Sequence, residues 1–275
     1  MKRAFSTLCC LSYNIEEIFQ LAVDACMDGV ELRLDMEKIR AWHKNDEVYA
    51  LIRTWPSQGL VVTDVAASIS VLRYDETVIE DAKLCVDVAA GIGAGAVRVF
   101  AGAHRKRFSE VVQNDWDGMS RCLRDICYYA AEKQIEIWLE THSDLSTAAA
   151  TRQMIDLVGA PNLKILWDVL HSIEFKESLE ESLTALEGRL AHVHWKDGRP
   201  SEDEDLCEYV HTDLAKGEMP LKELLRLLRK AEYNGYFSLE WESPWRAEIR
   251  DLYPDPGVLL KKYNSLLDEV EENIE

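Results

Sequence analysis

Eight short apolar runs, each followed by a stretch with helical spacing, predict a parallel α/β architecture for this 275-residue chain. Eight such units are also the number that closes a (β/α)8 barrel, and the length is ordinary for that fold. No Pro/Gly/Ser-rich linker or break in composition divides the sequence, so residues 1–275 are expected to form a single TIM-barrel domain. An open doubly wound sheet is the structural alternative. It would carry a glycine-rich turn after the first strand, and Cys10-Leu-Ser-Tyr-Asn is not one.

The apolar runs are strand-length and rich in Val, Ile, Leu and aromatic residues. The first, Phe5–Cys10, precedes a helix at Ile15–Asp28, which Asn14 caps and Glu16 and Glu17 open. Gly29–Leu34 is followed by a helical stretch at Asp46–Gln58, Leu60–Ala66 by Thr77–Gly91, and Ala96–Phe100 by Phe108–Lys133. Ile135–Thr141 leads to Ser146–Gly159, and Leu163–Val169 to Phe175–Glu187. Leu190–Asp197 reaches its helix, Leu221–Tyr233, after an acidic loop and Pro220, which suits the start of a helix. The last strand, Tyr236–Glu242, is followed by Val258–Glu271.

Composition narrows the function classes. Lys and Arg number 31 against 50 Asp and Glu, a formal charge of −19. So acidic a chain has no general attraction for a phosphate backbone or an anionic membrane, so neither nucleic acid nor membrane is expected as a partner. At 47% hydrophobic and 29% charged the composition is that of an ordinary globular protein. The acidic Ser201–Glu208 loop and the Asp268–Glu275 tail are expected to be solvated. The seven cysteines are odd in number, form no CxxC pair and lie mostly in apolar stretches, which fits free thiols in a reducing, cytoplasmic setting. Ser, Tyr and Asn interrupt the N-terminal MKRAFSTLCCLSYNIEEIF, so it reads as neither signal peptide nor anchor.

In a barrel the chemistry belongs at the C-terminal ends of the strands. Successive strand side chains face opposite sides. On the fifth strand Glu136, Trp138, Glu140 and His142 therefore share a face, opposite Ile135, Ile137 and Leu139. The apolar set belongs under the helices, so the polar set points into the barrel. The same parity turns Asp168 inward on the sixth strand, His192, His194 and Lys196 on the seventh, and Glu240 and Glu242 on the eighth. Several carboxylates in one low-dielectric cavity resist ionising together, and a divalent cation removes that cost. Glu140, Asp168, His194 and Glu240 form an oxygen-rich ligand set with one nitrogen, suited to one Mn²⁺, Mg²⁺, Co²⁺ or Zn²⁺ ion. Three anionic ligands on a dication leave about −1, which implies a neutral or weakly charged substrate at the metal. Glu31 and Arg33 on the second strand read equally well as a core ion pair. Trp167, Trp195 and Trp241 fall on the outer face and are expected to be core, with Trp138 and His192 inside but deeper.

The motifs LETH, WDVLH, HVHWKDG and GYFSLEWE occur in order on strands five to eight. At these residues the sequence resembles the xylose isomerase-like TIM-barrel superfamily, nearest to its sugar phosphate isomerase/epimerase group with inosose dehydratase and ketose 3-epimerases. The resemblance implies that Glu140, Asp168, His194 and Glu240 bind the metal and that His171 contacts substrate. It also implies that Lys196 holds a polar substrate position, with an ion pair to Asp197 or Glu242 as its plain alternative. A glutamate that the ketose 3-epimerases carry six residues after the first ligand is here Ser146. Their arginine six residues after the metal histidine is here Pro200, with Arg199 one residue earlier as the substrate-binding candidate. His142 has no family counterpart but lies one pleat nearer the opening than Glu140. The endonuclease IV branch of the superfamily needs three metals and extra histidines that the third and fourth strand ends lack.

The expectation is a metal-dependent sugar or polyol isomerase or epimerase. It would transfer a proton next to a carbonyl through an enediolate, with Glu140 and Glu240 as the proton-transferring carboxylates. Elimination from an inosose- or dehydroshikimate-like keto-polyol is the alternative outcome. A phosphodiesterase and a non-catalytic sugar-binding barrel are the rivals from other classes. The loop at 198–217 reads as a solvated segment able to close over the mouth, and a homo-oligomer is possible.

Overall fold

A computed structural model describes residues 1–274, so Glu275 of the acidic tail lies outside the described residues. Eight parallel strands close into a barrel: β1 (Lys2–Ser6), β2 (Gly29–Leu34), β3 (Val61–Val71), β4 (Ala96–Ala101), β5 (Glu136–Glu140), β6 (Leu163–Asp168), β7 (Leu190–Trp195) and β8 (Tyr236–Leu239). Each pairs with its sequence neighbour, and β1 closes the ring against β8 through Lys2–Phe5 alongside Tyr236–Leu239. Around it lie α1 (Ile15–Asp24), α2 (Met36–Trp42), α3 (Asp46–Ile52), α4 (Glu76–Ile92), α5 (Trp116–Glu132), α6 (Ala148–Val158), α7 (Val169–Glu174), α8 (Leu179–Leu186), α9 (Leu221–Lys230) and α10 (Pro256–Glu272). No helix among the described residues is long and apolar enough to cross a membrane.

Several of the boundaries that differ from the sequence reading are set by side-chain caps. The first strand stops at Ser6 because its hydroxyl accepts from Leu8 N and starts a 3₁₀ turn over Thr7–Cys10. Asp35 caps an additional helix, α2, by accepting from Lys38 N at 2.7 Å. The stretch at 46–58 breaks into α3 and a 3₁₀ turn at Trp55–Gln58, which Gly59 ends in the left-handed region at φ 82°. Asp115 accepts from Gly118 N and delays α5 until Trp116, leaving 108–115 as loop. Asp168 caps the extra helix α7 directly after β6. The supposed acidic tail is largely the last turn of α10, where Asp268 and Glu271 hold Arg3 at 2.6 and 3.1 Å.

The main core lies between strands and helices. Trp167, Trp195 and Trp241 are buried in it, as parity requires. α9 shows how such a helix is held: Leu221, Leu224, Leu225, Leu227 and Leu228 face the barrel, a stripe of the i, i+3, i+4 kind. Inside the barrel Ala96, Trp138 and Leu166 form a small apolar plug. Polar side chains occupy the interior towards the strand ends.

Candidate metal and substrate site

The deepest polar layer centres on Glu31 of β2. One of its carboxylate oxygens lies 3.1 Å from His192 Nε2 and accepts from the Ser238 hydroxyl, and the other lies 2.6 Å from His194 Nε2. Glu31 therefore does not pair with Arg33, which corrects that expectation. With Nε2 committed to Glu31, His194 directs Nδ1 to the mouth of the barrel. That nitrogen is buried and makes no hydrogen bond among the described residues. It faces Glu240 Oε2 at 3.5 Å, Glu140 Oε1 at 3.8 Å and Asp168 Oδ2 at 3.9 Å. Next to Glu31, Asp64 is fully buried. Its carboxyl is raised well above the usual range by burial and by the neighbouring Glu31 charge.

Strand register brings the four mouth residues together. Asp168 and Ser238 both lie level with His194, and Glu140 pairs with Leu166 two residues before Asp168. Asp168 divides its oxygens: Oδ1 accepts from Leu170 N and His171 N, while Oδ2 is buried and turned to the mouth, where Lys196 Nζ lies 2.8 Å away. One ligand atom from each of Glu140, Asp168, His194 and Glu240 lies within 4.8 Å of the other three, a spacing that could hold a metal ion. One of those atoms, His194 Nδ1, is an orphaned buried acceptor facing three carboxylate oxygens, so the donor set fits a divalent cation.

Two basic side chains flank the set. Arg98 of β4 is buried and donates to Glu140 Oε2 at 2.6 Å. Lys196 reaches Glu240 Oε2 at 2.6 Å, Asp168 Oδ2 at 2.8 Å and the carboxylate of Glu242. Of the two pairings foreseen for Lys196, Glu242 forms and Asp197 does not. Asp197 instead accepts from Gly198 N and Gly217 N. Burial opposes the charge on Lys196, but Asp168, Glu240 and Glu242 raise its pKa well above the ordinary lysine value. His171 Nδ1 lies 2.8 Å from Glu174 and its Nε2 3.7 Å from Asp168. Burial works against protonation there, yet Asp168 and Glu174 hold it up to about 9. His142 behaves oppositely: burial, with His171 and Lys196 nearby, pushes it well below its usual value.

A cavity of about 220 Å³ opens above these groups. It is lined by Glu140, His142, His171, Lys196, Glu240 and Glu242, together with Arg33, Ser68, Arg98, Phe100 and Trp245. His142, His171 and Lys196 thus reach the mouth, although His142, Lys196 and Glu240 lie just beyond the strand ends expected to carry them. Arg199 does not: it is exposed on a two-residue antiparallel ladder with Val210 and is removed from the site by that turn. The sequence reading missed Arg33 and Arg98 as cavity-lining cations. A lone arginine on the inward parity of the apolar AVRVF strand was the available signal for Arg98.

Residues 19–257 match the protein family described as xylose isomerase-like TIM barrel. The 3-dehydroshikimate dehydratase of Bacillus anthracis is 23% identical over 255 residues, covering 86% of this chain and 90% of that protein. The fructoselysine 3-epimerase of Shigella flexneri is 26% identical over 196 residues, or 69% of this chain and 66% of that one. Among solved structures, the IolI protein, described with a bound zinc atom, superposes with a TM-score of 0.77 at 17% identity, covering 99% of each chain.

Proposed function

The chain belongs to the xylose isomerase-like TIM-barrel family, and from that premise we propose that it is a divalent-metal-dependent isomerase or epimerase of a keto-polyol. Glu140, Asp168, His194 and Glu240 would hold one ion per chain. The bound ion would act as a Lewis acid that polarises the substrate carbonyl and lowers the cost of negative charge developing on its oxygen. Similarity to a fructoselysine 3-epimerase and a 3-dehydroshikimate dehydratase supports a small, sugar-like substrate rather than nucleic acid.

What carries the reading is the matched state of Glu140 and Glu240. Arg98 holds Oε2 of the first and Lys196 holds Oε2 of the second, while neither Oε1 accepts a hydrogen bond among the described residues. Each carboxylate is thereby fixed in orientation with one oxygen left to take or return a proton. They come from nonadjacent strands, which places them on different sides of the cavity. Removal of the proton next to the carbonyl by one and its return by the other inverts that carbon, and return to the neighbouring carbon interconverts ketose and aldose. His142, kept neutral, and His171, kept charged, would hydrogen-bond the hydroxyls.

One observation favours a second outcome on the same site. The Lys196 ammonium and His171 imidazolium both lie against Asp168, which puts strong proton donors beside the two carboxylates. Either could protonate a departing β-hydroxyl, so that the same enolate collapses to a dehydrated product.

The test is incorporation of solvent deuterium at the carbon next to the carbonyl across ketoses, inososes and 3-dehydroshikimate, with added Mn²⁺ and metal content measured. Wild type is expected to exchange at least one of them. Glu140→Gln and Glu240→Gln are each expected to slow exchange by about 10²-fold or more, the scale of a lost general base. Absence of exchange across the panel in metal-loaded wild type would sink the proposal.

A further inference from the structure

We propose that the substrate carries a carboxylate and that Arg33 is its anchor. This deepens the keto-polyol reading above and rests on it.

Among the described residues lining the cavity, the other cationic side chains already have anionic partners. Arg98 is held by Glu140, Lys196 by Asp168, Glu240 and Glu242, and His171 by Glu174. Arg33 has none. Its guanidinium donates to Leu34 O and Ala66 O, both at 3.1 Å, and to the Ser68 hydroxyl at 2.5 Å, all neutral acceptors. A guanidinium has five N–H donors, so two remain, including Nε–H, which makes no hydrogen bond among the described residues. The indole of Trp245 covers one face, with its ring centre 5.7 Å from the guanidinium carbon. The group is thus positioned by a strand end, two carbonyls, a hydroxyl and an aromatic ring, yet it lacks a counter-charge.

The surrounding charge deepens that deficit. Burial and the nearby Arg98 charge depress the basicity of Arg33 to about 10, outweighing Glu240 and Glu140. An anion delivered to its free edge would relieve this. With the His171–Glu174 and Arg246–Glu208 pairs each cancelling, Arg33, Arg98 and Lys196 stand around the mouth against the carboxylates of Glu140, Asp168, Glu240 and Glu242. A dication held by the candidate ligands would reverse the resulting excess of one negative charge to one positive. The charge of −1 expected from the ligands alone omitted Arg98 and Lys196. The single free guanidinium edge matches the two oxygens of a carboxylate. A phosphate dianion would want further donors, and the other cations are already committed.

The probe pair is shikimate and its methyl ester, a ring polyol with and without the anionic charge. Calorimetric titration of each into Mn²⁺-loaded wild-type protein is expected to show shikimate binding about tenfold or more tightly. Arg33→Gln should erase that preference, Arg33→Lys should retain part of it, and inorganic phosphate should compete poorly. Equal binding of the two probes to wild type, no binding of either, or a preference that survives in Arg33→Gln overturns the assignment. Phosphate binding more tightly than shikimate overturns the carboxylate specifically. These are binding readings that need no turnover. Failure of the proton-transfer reading would appear separately, as missing deuterium exchange with the shikimate preference intact.

Discussion

His211 illustrates how a single residue couples this architecture to pH. It is buried just outside the mouth, its Nε2 makes no hydrogen bond among the described residues, and burial lowers its pKa to about 4. The imidazole is therefore neutral in the folded state over a range where an unfolded chain protonates it near its usual 6.5. Between those values the unfolded state binds more protons, so stability falls as pH drops from about 6.5 to 4. The contribution lost is up to about 3 kcal/mol. His211→Asn is expected to show a shallower acid loss than wild type in urea unfolding followed at pH 7 and pH 5. An identical slope in the two proteins would remove His211 as the cause. The same scale shows what the sequence could not disclose. Parity alone placed Glu140, Asp168, His194 and Glu240 on one face. That Glu31 would turn to His194 across the barrel, leaving Arg33 without an anionic partner among the described residues, depends on distances that exist only once the ring of strands is closed.

Among the elements, the segment after β7 is held down at both ends. Gly198–Arg199 pairs antiparallel with Val210–His211, and Asp197 ties the far end by accepting from Gly217 N at 3.1 Å. A Cβ on Gly217 would lie 2.1 Å from Asp197 Oδ1 and 2.5 Å from Gly198 O, so only glycine fits there. Gly217→Ala is expected to lift this end of the loop, costing roughly 1–3 kcal/mol as overpacking does and raising KM more than it lowers kcat. Unchanged melting and KM would show that the loop can adjust. The tip of the segment is fastened to the loop after β4, through Arg107 to Asp203 at 2.9 Å and the Ser109 hydroxyl to Asp205 at 2.6 Å. The acidic run foreseen as merely solvated thus has specific partners. The alternation of apolar runs made the eight strands legible, because burial on both faces leaves a continuous hydrophobic signature. Helix starts were less legible. Asp35, Asp115 and Asp168 cap through side-chain oxygens, and many other aspartates in so acidic a chain look the same in sequence.

For the whole molecule, the decisive feature is that Arg98 and Lys196 offset part of the mouth carboxylate charge from within the protein. Together with the large apolar core, this predicts a barrel that folds without the proposed ion, unlike small domains whose metal supplies the folding energy. Chelation with EDTA is therefore expected to leave the far-ultraviolet circular dichroism at 25 °C unchanged while lowering the melting temperature by several degrees. That shift reflects lost binding free energy, RT ln(1 + [L]/Kd), and it should reverse on adding Mn²⁺. Collapse of the ellipticity on chelation would contradict this account of the mouth charges. The internal lysine and arginine also bear on when an ion would be taken up. On the proposed metal-dependent reading, the polypeptide would leave the ribosome, complete its barrel and only then meet an ion, so that the metal taken up would be decided by what the compartment offers a finished protein.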